Sequence, residues 1–284
     1  MAHEAGTHEI GSSKRPDLPL AVIVGAGGLG MAMARRLGLD YRLLLADRDD
    51  AHLARQILAL RDAGYDATGQ ICDVTNPEHV AQLAAAADQP RALAHVVGLS
   101  PAMGDFRAIM AVNLIGAARV ANAFQPIMGP SGCGLFISSS AAHMGPVADT
   151  LWPLLENPLA DGFLPQLEAA LGEGATSASA YGLSKAALNR MCQRQAANWG
   201  KRSLRILSLS PGLIATPQGA REFQNSPAKH KLLAATPLAR ECTMLEIANI
   251  AAFLLSDHAS FISGTDILAD GGMVSALRHG TSGA

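Results

Sequence analysis

The chain has 284 residues, 49 % hydrophobic and 16 % charged, with a formal net charge of −2. That composition can bury a large core and excludes a disordered chain. The absence of a basic block excludes a nucleic-acid surface. Cys72, Cys133, Cys192 and Cys242 are scattered with no C-x-x-C pair, so reduced, buried thiols in a cytoplasmic protein are expected, and no metal site.

Residues 1–17, MAHEAGTHEIGSSKRPD, are polar and aperiodic and read as a mobile tail with no secretory signal; one domain is expected over 18–284. The uncharged run Leu18 to Ala34 holds four glycines and a proline. It therefore reads as strand, turn and helix, not as a membrane span. The pattern predicts a strand at 20–25 and a helix at 28–38, then a strand at 41–47 and an amphipathic helix at 50–64. A third strand at 67–74, a helix from Pro77 and a fourth strand at 92–98 follow. A long helix at about 105–128 leads to a fifth strand at 134–140. A helix at about 179–199, a strand at 203–210, a helix near 243–255 and a strand at 265–270 complete the series. Strands this apolar, alternating with helices, imply a doubly wound parallel sheet covered on both faces. Ligands in such sheets bind outside the carboxyl ends of the strands.

The turn after the first strand is GAGGLG, with Gly25, Gly27 and Gly30 fitting G-x-G-x-x-G. Glycine permits the tight turn and lets backbone approach a pyrophosphate at the helix N-terminus. Gly28 and Leu29 belong to the same predicted cofactor turn. Asp47 ends the second strand, 17 residues past Gly30. A carboxylate there accepts ribose hydroxyls and repels a 2′-phosphate, favouring NAD over NADP; Arg48 pulls the other way, and a helix cap is the plainer role for Asp47. Asp73 ends the third strand, either to meet an adenine amino group or as a turn residue, and Val74 joins it in the predicted set.

Residues 178–186, ASAYGLSKA, place Tyr181 and Lys185 four apart, on one face of a helix. Hydride transfer at a carbonyl carbon needs a proton partner for the oxygen. A close ammonium favours a phenolate, so Tyr181 is a candidate acid/base and Lys185 its tuning group. Ser138, Ser139 and Ser140 offer hydroxyls at the end of the fifth strand.

These residues, with CDV, VNLIGA, LSPGLIATP and ADGG, resemble the short-chain dehydrogenase/reductase family from about residue 20 to 275. The resemblance implies a single Rossmann-type domain and catalytic roles for Asn113, Ser139, Tyr181 and Lys185. Asn113 would hold a water in a proton relay behind Lys185. It also places Gly98, Pro211, Gly212, Ile214 and Thr216, with Tyr181 and Lys185, against the cofactor. A lid over about 217–236 is expected.

Three features depart from the family pattern. The first turn is one residue short of T-G-x-x-x-G-x-G and begins with Val24. The N-N-A-G after strand four is HVVGL, where His95 is expected to be buried and hydrogen-bonded. Ser139 and Tyr181 lie 42 residues apart because of an insertion at about 141–177. That insertion makes the chain similar to the bacterial 3α-hydroxysteroid dehydrogenase/carbonyl reductase type and its coniferyl alcohol dehydrogenase relatives, which use NAD(H) on bulky, hydrophobic alcohols and carbonyls. Its apolar residues either wall a substrate pocket, pack on the body, or cover a subunit interface. A homodimer or homotetramer through the helices at 105–128 and 179–199 is implied. Lyase or epimerase chemistry on the same fold, and a non-catalytic NAD(H) binder, are the alternatives.

Overall fold

A computed structural model describes residues 17–216 and 227–280. Its strands are β1 (Leu20–Val24), β2 (Arg42–Asp47), β3 (Ala67–Ile71), β4 (Ala92–His95), β5 (Cys133–Ile137), β6 (Arg205–Pro211), β7 (Ile214–Ala215), β8 (Cys242–Thr243) and β9 (Asp266–Ala269). Seven form one sheet, ordered β3-β2-β1-β4-β5-β6-β9 and parallel at every pairing. The order reverses between β1 and β4, which opens a crevice at their carboxyl ends. The two-residue strands β7 and β8 pair beside the sheet and have no counterpart in the sequence pattern.

The helices are α1 (Gly28–Leu37), α2 (Asp50–Asp62), α3 (Pro77–Ala86), α4 (Phe106–Met110), α5 (Ala117–Phe124), α6 (Trp152–Leu155), α7 (Phe163–Leu171), α8 (Ser177–Gly200), α9 (Pro227–Ala235), α10 (Met244–Leu255) and α11 (Met273–His279). Local chemistry sets their starts. Asn76 caps α3 ahead of Pro77, and Thr176 and Thr243 form capping boxes with Ser179 and Glu246. One apolar layer joins Ile23, Leu45, Leu135 and Leu209 to α1, α2 and α10; the other joins Val22, Leu93, Phe136 and Trp199 to α3, α5 and α8.

The single helix expected over 105–128 is interrupted. Between α4 and α5, Ala111–Gly116 form a π-helical turn that carries Asn113. π-turns leave their imprint in no simple periodicity and recur at functional sites. Glycine at 116 permits the close approach here, since a Cβ would meet Val74 Cγ2 at 2.6 Å.

The insertion packs on the body of the domain. Leu151, Leu155, Phe163 and Leu167 are buried against Ile109, Leu114 and Ala187, and Tyr181 lies at the margin of that cluster. Glu156 accepts from Arg190 and pairs with Arg194, while Trp152 lies under the Arg190 guanidinium at 4.4 Å. Arg107 and Glu168 tie α4 to α7.

His95 corrects one expectation. It is fully buried and tilted against Phe136 at 5.5 Å, but neither ring nitrogen has a hydrogen-bond partner among the described residues. Burial, with the Lys185 charge adding, pushes its pKa down to about 3, so the ring is neutral. Residues 1–16 of the expected tail and 217–226 of the expected lid lie outside the described residues.

Candidate active site

The β1–α1 turn is shaped by contacts that only glycine allows. Gly25 has φ +109°, and a Cβ on Gly30 would lie 1.8 Å from the Gly25 carbonyl oxygen. Gly25 N donates to Ala46 O at 2.7 Å, drawing the turn onto β2. No side chain caps α1, so its first-turn N–H groups face the crevice, as a bound phosphate requires.

Asp47 fixes this turn from the end of β2. Its Oδ2 accepts from Ala26 N at 2.9 Å and its Oδ1 from Asp49 N at 3.1 Å. Asp47 is therefore not the cap of α2. That role falls to Asp49, which accepts from His52 N. Asp73 accepts from Thr75 N at 2.8 Å and Thr75 Oγ1 at 2.7 Å. Burial opposes ionisation of Asp73. The Thr75 hydrogen bonds outweigh it, with Arg48 and His79 adding, and hold the carboxyl below its ordinary value. Asp47, Arg48, Asp73, Val74, Gly25, Gly27, Gly28, Leu29 and Gly30 all line one cleft of about 560 Å³.

A second cleft, about 280 Å³, adjoins it through Val96, Gly98, Leu99, Met103 and Thr216. Ser139, Tyr181, Lys185, Pro211, Gly212 and Ile214 line it. The two clefts thus bring together predicted residues from seven separate segments: 25–30, 47–48, 73–74, 98, 139, 181–185 and 211–216. Ser100, Met103, Leu99 and Lys229 line the same cleft and were not anticipated. A cation in the segment after LSPGLIATP was the signal available for Lys229. No insertion residue lines either cleft among the described residues, so body packing is the reading of the insertion that the structure supports.

The floor of the second cleft is built from buried polar groups. Lys185 is 4 % exposed, and its Nζ donates to Ile137 O at 2.9 Å. Burial lowers its pKa to about 8. Asn113 is fully buried; its Oδ1 accepts from Leu99 N at 2.7 Å and its Nδ2 donates to Leu99 O at 3.0 Å. The side chain thereby pins the loop that leaves β4. A Cβ on Gly98 would meet Lys185 Nζ at 3.2 Å and Asn113 Oδ1 at 3.5 Å. Of the three serines, Ser138 is buried with its Oγ donating to Lys185 O, Ser140 is buried, and Ser139 is half-exposed to the cleft. Ser139 Oγ accepts from Ala141 N at 3.1 Å.

Among the described residues no cluster of His, Cys, Asp and Glu is placed to hold a metal ion, and no helix is long and apolar enough to cross a membrane.

A family model described as enoyl-(acyl carrier protein) reductase matches residues 25–151 and 168–274, leaving 152–167 between the two spans. The short-chain dehydrogenase/reductase bsc3 of Alternaria brassicicola is 35 % identical, over 92 % of this chain and 97 % of that one. A solved short-chain type dehydrogenase/reductase from Mycobacterium ulcerans superposes with a TM-score of 0.75 at 24 % identity, covering 90 % of each chain. A variant of actinorhodin polyketide ketoreductase solved with NADPH gives 0.71 at 21 % identity, covering 91 % of this chain and 98 % of that one. Both solved structures share the fold. On the extent of the family match and the identity to bsc3, the chain belongs to the short-chain dehydrogenase/reductase family of oxidoreductases.

Proposed function

We propose that the protein is an NAD(H)-dependent dehydrogenase/reductase that interconverts a hydrophobic secondary alcohol and its ketone, of the hydroxysteroid dehydrogenase/carbonyl reductase kind. The observation that carries this reading is the convergence of Tyr181, Lys185, Ser139 and Gly98 on one cleft, with Asn113 directly beneath it. A nicotinamide dinucleotide supplies or accepts the hydride when bound. The glycine cradle, the uncapped α1 N-terminus and the Asp47 carboxylate fit its phosphates and ribose.

Tyr181 is the proton donor to the carbonyl oxygen in reduction and the acceptor in oxidation. Lys185 stays mostly protonated near pH 7, since its pKa of about 8 lies above that value. Its charge stabilises the phenolate form of Tyr181. Ser139 holds the substrate oxygen. Asn113 fixes the Leu99 loop and, through its place in the π-turn, supports the relay behind Lys185. Leu99, Met103 and Ile214 give the cleft an apolar wall suited to a hydrophobic substrate.

The preference for NAD(H) rests on Asp47. Two backbone N–H groups hold its carboxylate rigid at the ribose end, where it opposes a 2′-phosphate. Arg48 beside it is the competing group. A cytoplasmic homodimer or homotetramer completes the reading.

Tyr181→Phe tests it. Turnover of a carbonyl panel with NADH should fall by about 10²-fold or more, the typical scale of general acid–base catalysis, while calorimetric NADH affinity stays within about twofold. Wild-type turnover in the variant would overturn the assignment.

A further inference from the structure

We infer that Asp266 and His143 form a positioning pair that holds the Ser139 turn in register with the catalytic helix, an inference that rests on the proposed oxidoreductase reading. Asp266 lies on β9, the edge strand, in an otherwise apolar run of Ile267, Leu268 and Ala269. Its side chain is only 6 % exposed. A buried carboxylate is costly unless every lone pair is directed at a donor. Here Oδ2 meets His143 Nε2 at 2.7 Å, and Oδ1 accepts from Ser208 Oγ at 2.7 Å and Ser210 Oγ at 3.0 Å.

Each donor comes from a segment that carries the chemistry. His143 closes the short turn that begins at Ser139. Ser210 immediately precedes Pro211 and Gly212, which line the cleft. Ser210 Oγ also accepts from Asn189 Nδ2 at 3.4 Å, and Asn189 stands one turn past Lys185 on α8. The turn is anchored at its other end by Ser138 Oγ, which donates to Lys185 O at 3.1 Å. Ser139 therefore sits between two anchors, one to α8 and one through Asp266 to β6 and β9. Arg278 on α11 adds a bond to the His143 carbonyl at 2.7 Å.

The arrangement is not a nucleophilic triad. Both serine hydroxyls donate to the carboxylate, so neither is activated by the imidazole. Its physical product is orientation. A well-packed apolar residue in place of a buried charge usually matches or exceeds its stability, whereas directed hydrogen bonds fix geometry.

The test compares His143→Ala with His143→Gln, whose amide can still donate to Asp266. Three readouts are needed: hydrogen exchange over residues 138–143, kcat and KM for a carbonyl substrate, and NADH affinity by calorimetry. In His143→Ala, exchange over 138–143 should rise while that of the β1–α1 turn is unchanged. kcat should fall by about tenfold, within the range that small misplacements of reacting groups produce, with NADH affinity within about twofold. His143→Gln should restore protection and most of kcat. Unchanged exchange or unchanged kcat in His143→Ala would overturn the pairing, as would equal impairment in His143→Gln. A wild-type enzyme that turns over no carbonyl overturns the oxidoreductase reading instead, and the exchange comparison still decides the pair.

Discussion

Lys185 Nζ stands 5.9 Å from the Tyr181 ring centroid while it donates to the Ile137 carbonyl at the end of β5. The helical spacing sets the first distance, and the sheet fixes the second. An ammonium held this way is desolvated by the fold and has one backbone oxygen among its partners.

Its titration is therefore visible in stability. Folding depresses the Lys185 pKa to about 8 from the ordinary 10.5. Between those values the unfolded chain binds more protons, so stability rises with pH and is lost as pH falls through 8. Linkage gives about 1 kcal/mol between pH 8 and 9. The buried thiols oppose it over the same window, in wild type and Lys185→Met alike, since their unfolded forms already ionise at about pH 8 to 9 while burial raises Cys72 to about 11 and Cys133 to about 12. The measurement is urea unfolding at pH 8 and 9 for wild type and Lys185→Met, and wild type should gain about 1 kcal/mol relative to the variant between the two pH values.

Gly98→Ala should lower turnover without unfolding the protein. The new Cβ would crowd Lys185 Nζ at 3.2 Å, which must give by tenths of an ångström, while Asn113 Oδ1 at 3.5 Å stays in ordinary contact. We expect kcat to fall by about tenfold, on the scale of small displacements of reacting groups, with the melting temperature nearly unchanged. Wild-type kcat would show that the Lys185 position is not critical.

Asp47→Ser removes the carboxylate proposed to meet the ribose, which accepts from Ala26 N and Asp49 N. NADH affinity should drop by about tenfold, close to the loss of one charged hydrogen-bonding group. Discrimination against NADPH should weaken with it. Paired calorimetric titrations of both cofactors decide the matter; a wild-type enzyme that prefers NADPH would assign the dominant role to Arg48.

His95 predicts acid sensitivity. Its folded pKa of about 3 lies below the ordinary 6.5, so its contribution is complete above pH 6.5 and is lost as pH falls toward 3. From pH 7 to 5 this amounts to about 2 kcal/mol by linkage. His95→Leu also removes two buried nitrogens without partners, a feature that costs rather than stabilises. Denaturant midpoints at pH 7 and 5 should show the variant flatter across the range and no less stable at pH 5. A parallel pH dependence in both proteins would rule this out.

The strands and the first helices were legible because their signals are local. LAVIV is buried at every position, and GAGGLG needs glycine for reasons of backbone space alone. Tyr181 and Lys185 were legible because four residues along a helix define a face. Asn113 was found only through VNLIGA, since the π-turn that turns it toward Leu99 follows no 3.6-residue period. His95 looked like a satisfied core histidine, and only the packed sheet leaves its nitrogens without partners. The tie between His143 and Asp266 spans 123 positions. No pattern in either segment announces the other, because the bond exists only once β9 has docked beside β6.

That docking has a temporal meaning. Chains emerge from the ribosome N-terminus first, and domains fold as their contacts become available. β1, β2 and β3, with the glycine turn and Asp47, precede the rest of the sheet in chain order. The carboxylate that gathers Ser208, Ser210 and His143 arrives only with β9. On the proposed function, the strands that carry the glycine turn and Asp47 are therefore made before the carboxylate that ties the Ser139 turn to β6. On the proposed pairing, a chain released before Asp266 lacks the contact that joins the Ser139 turn to β6.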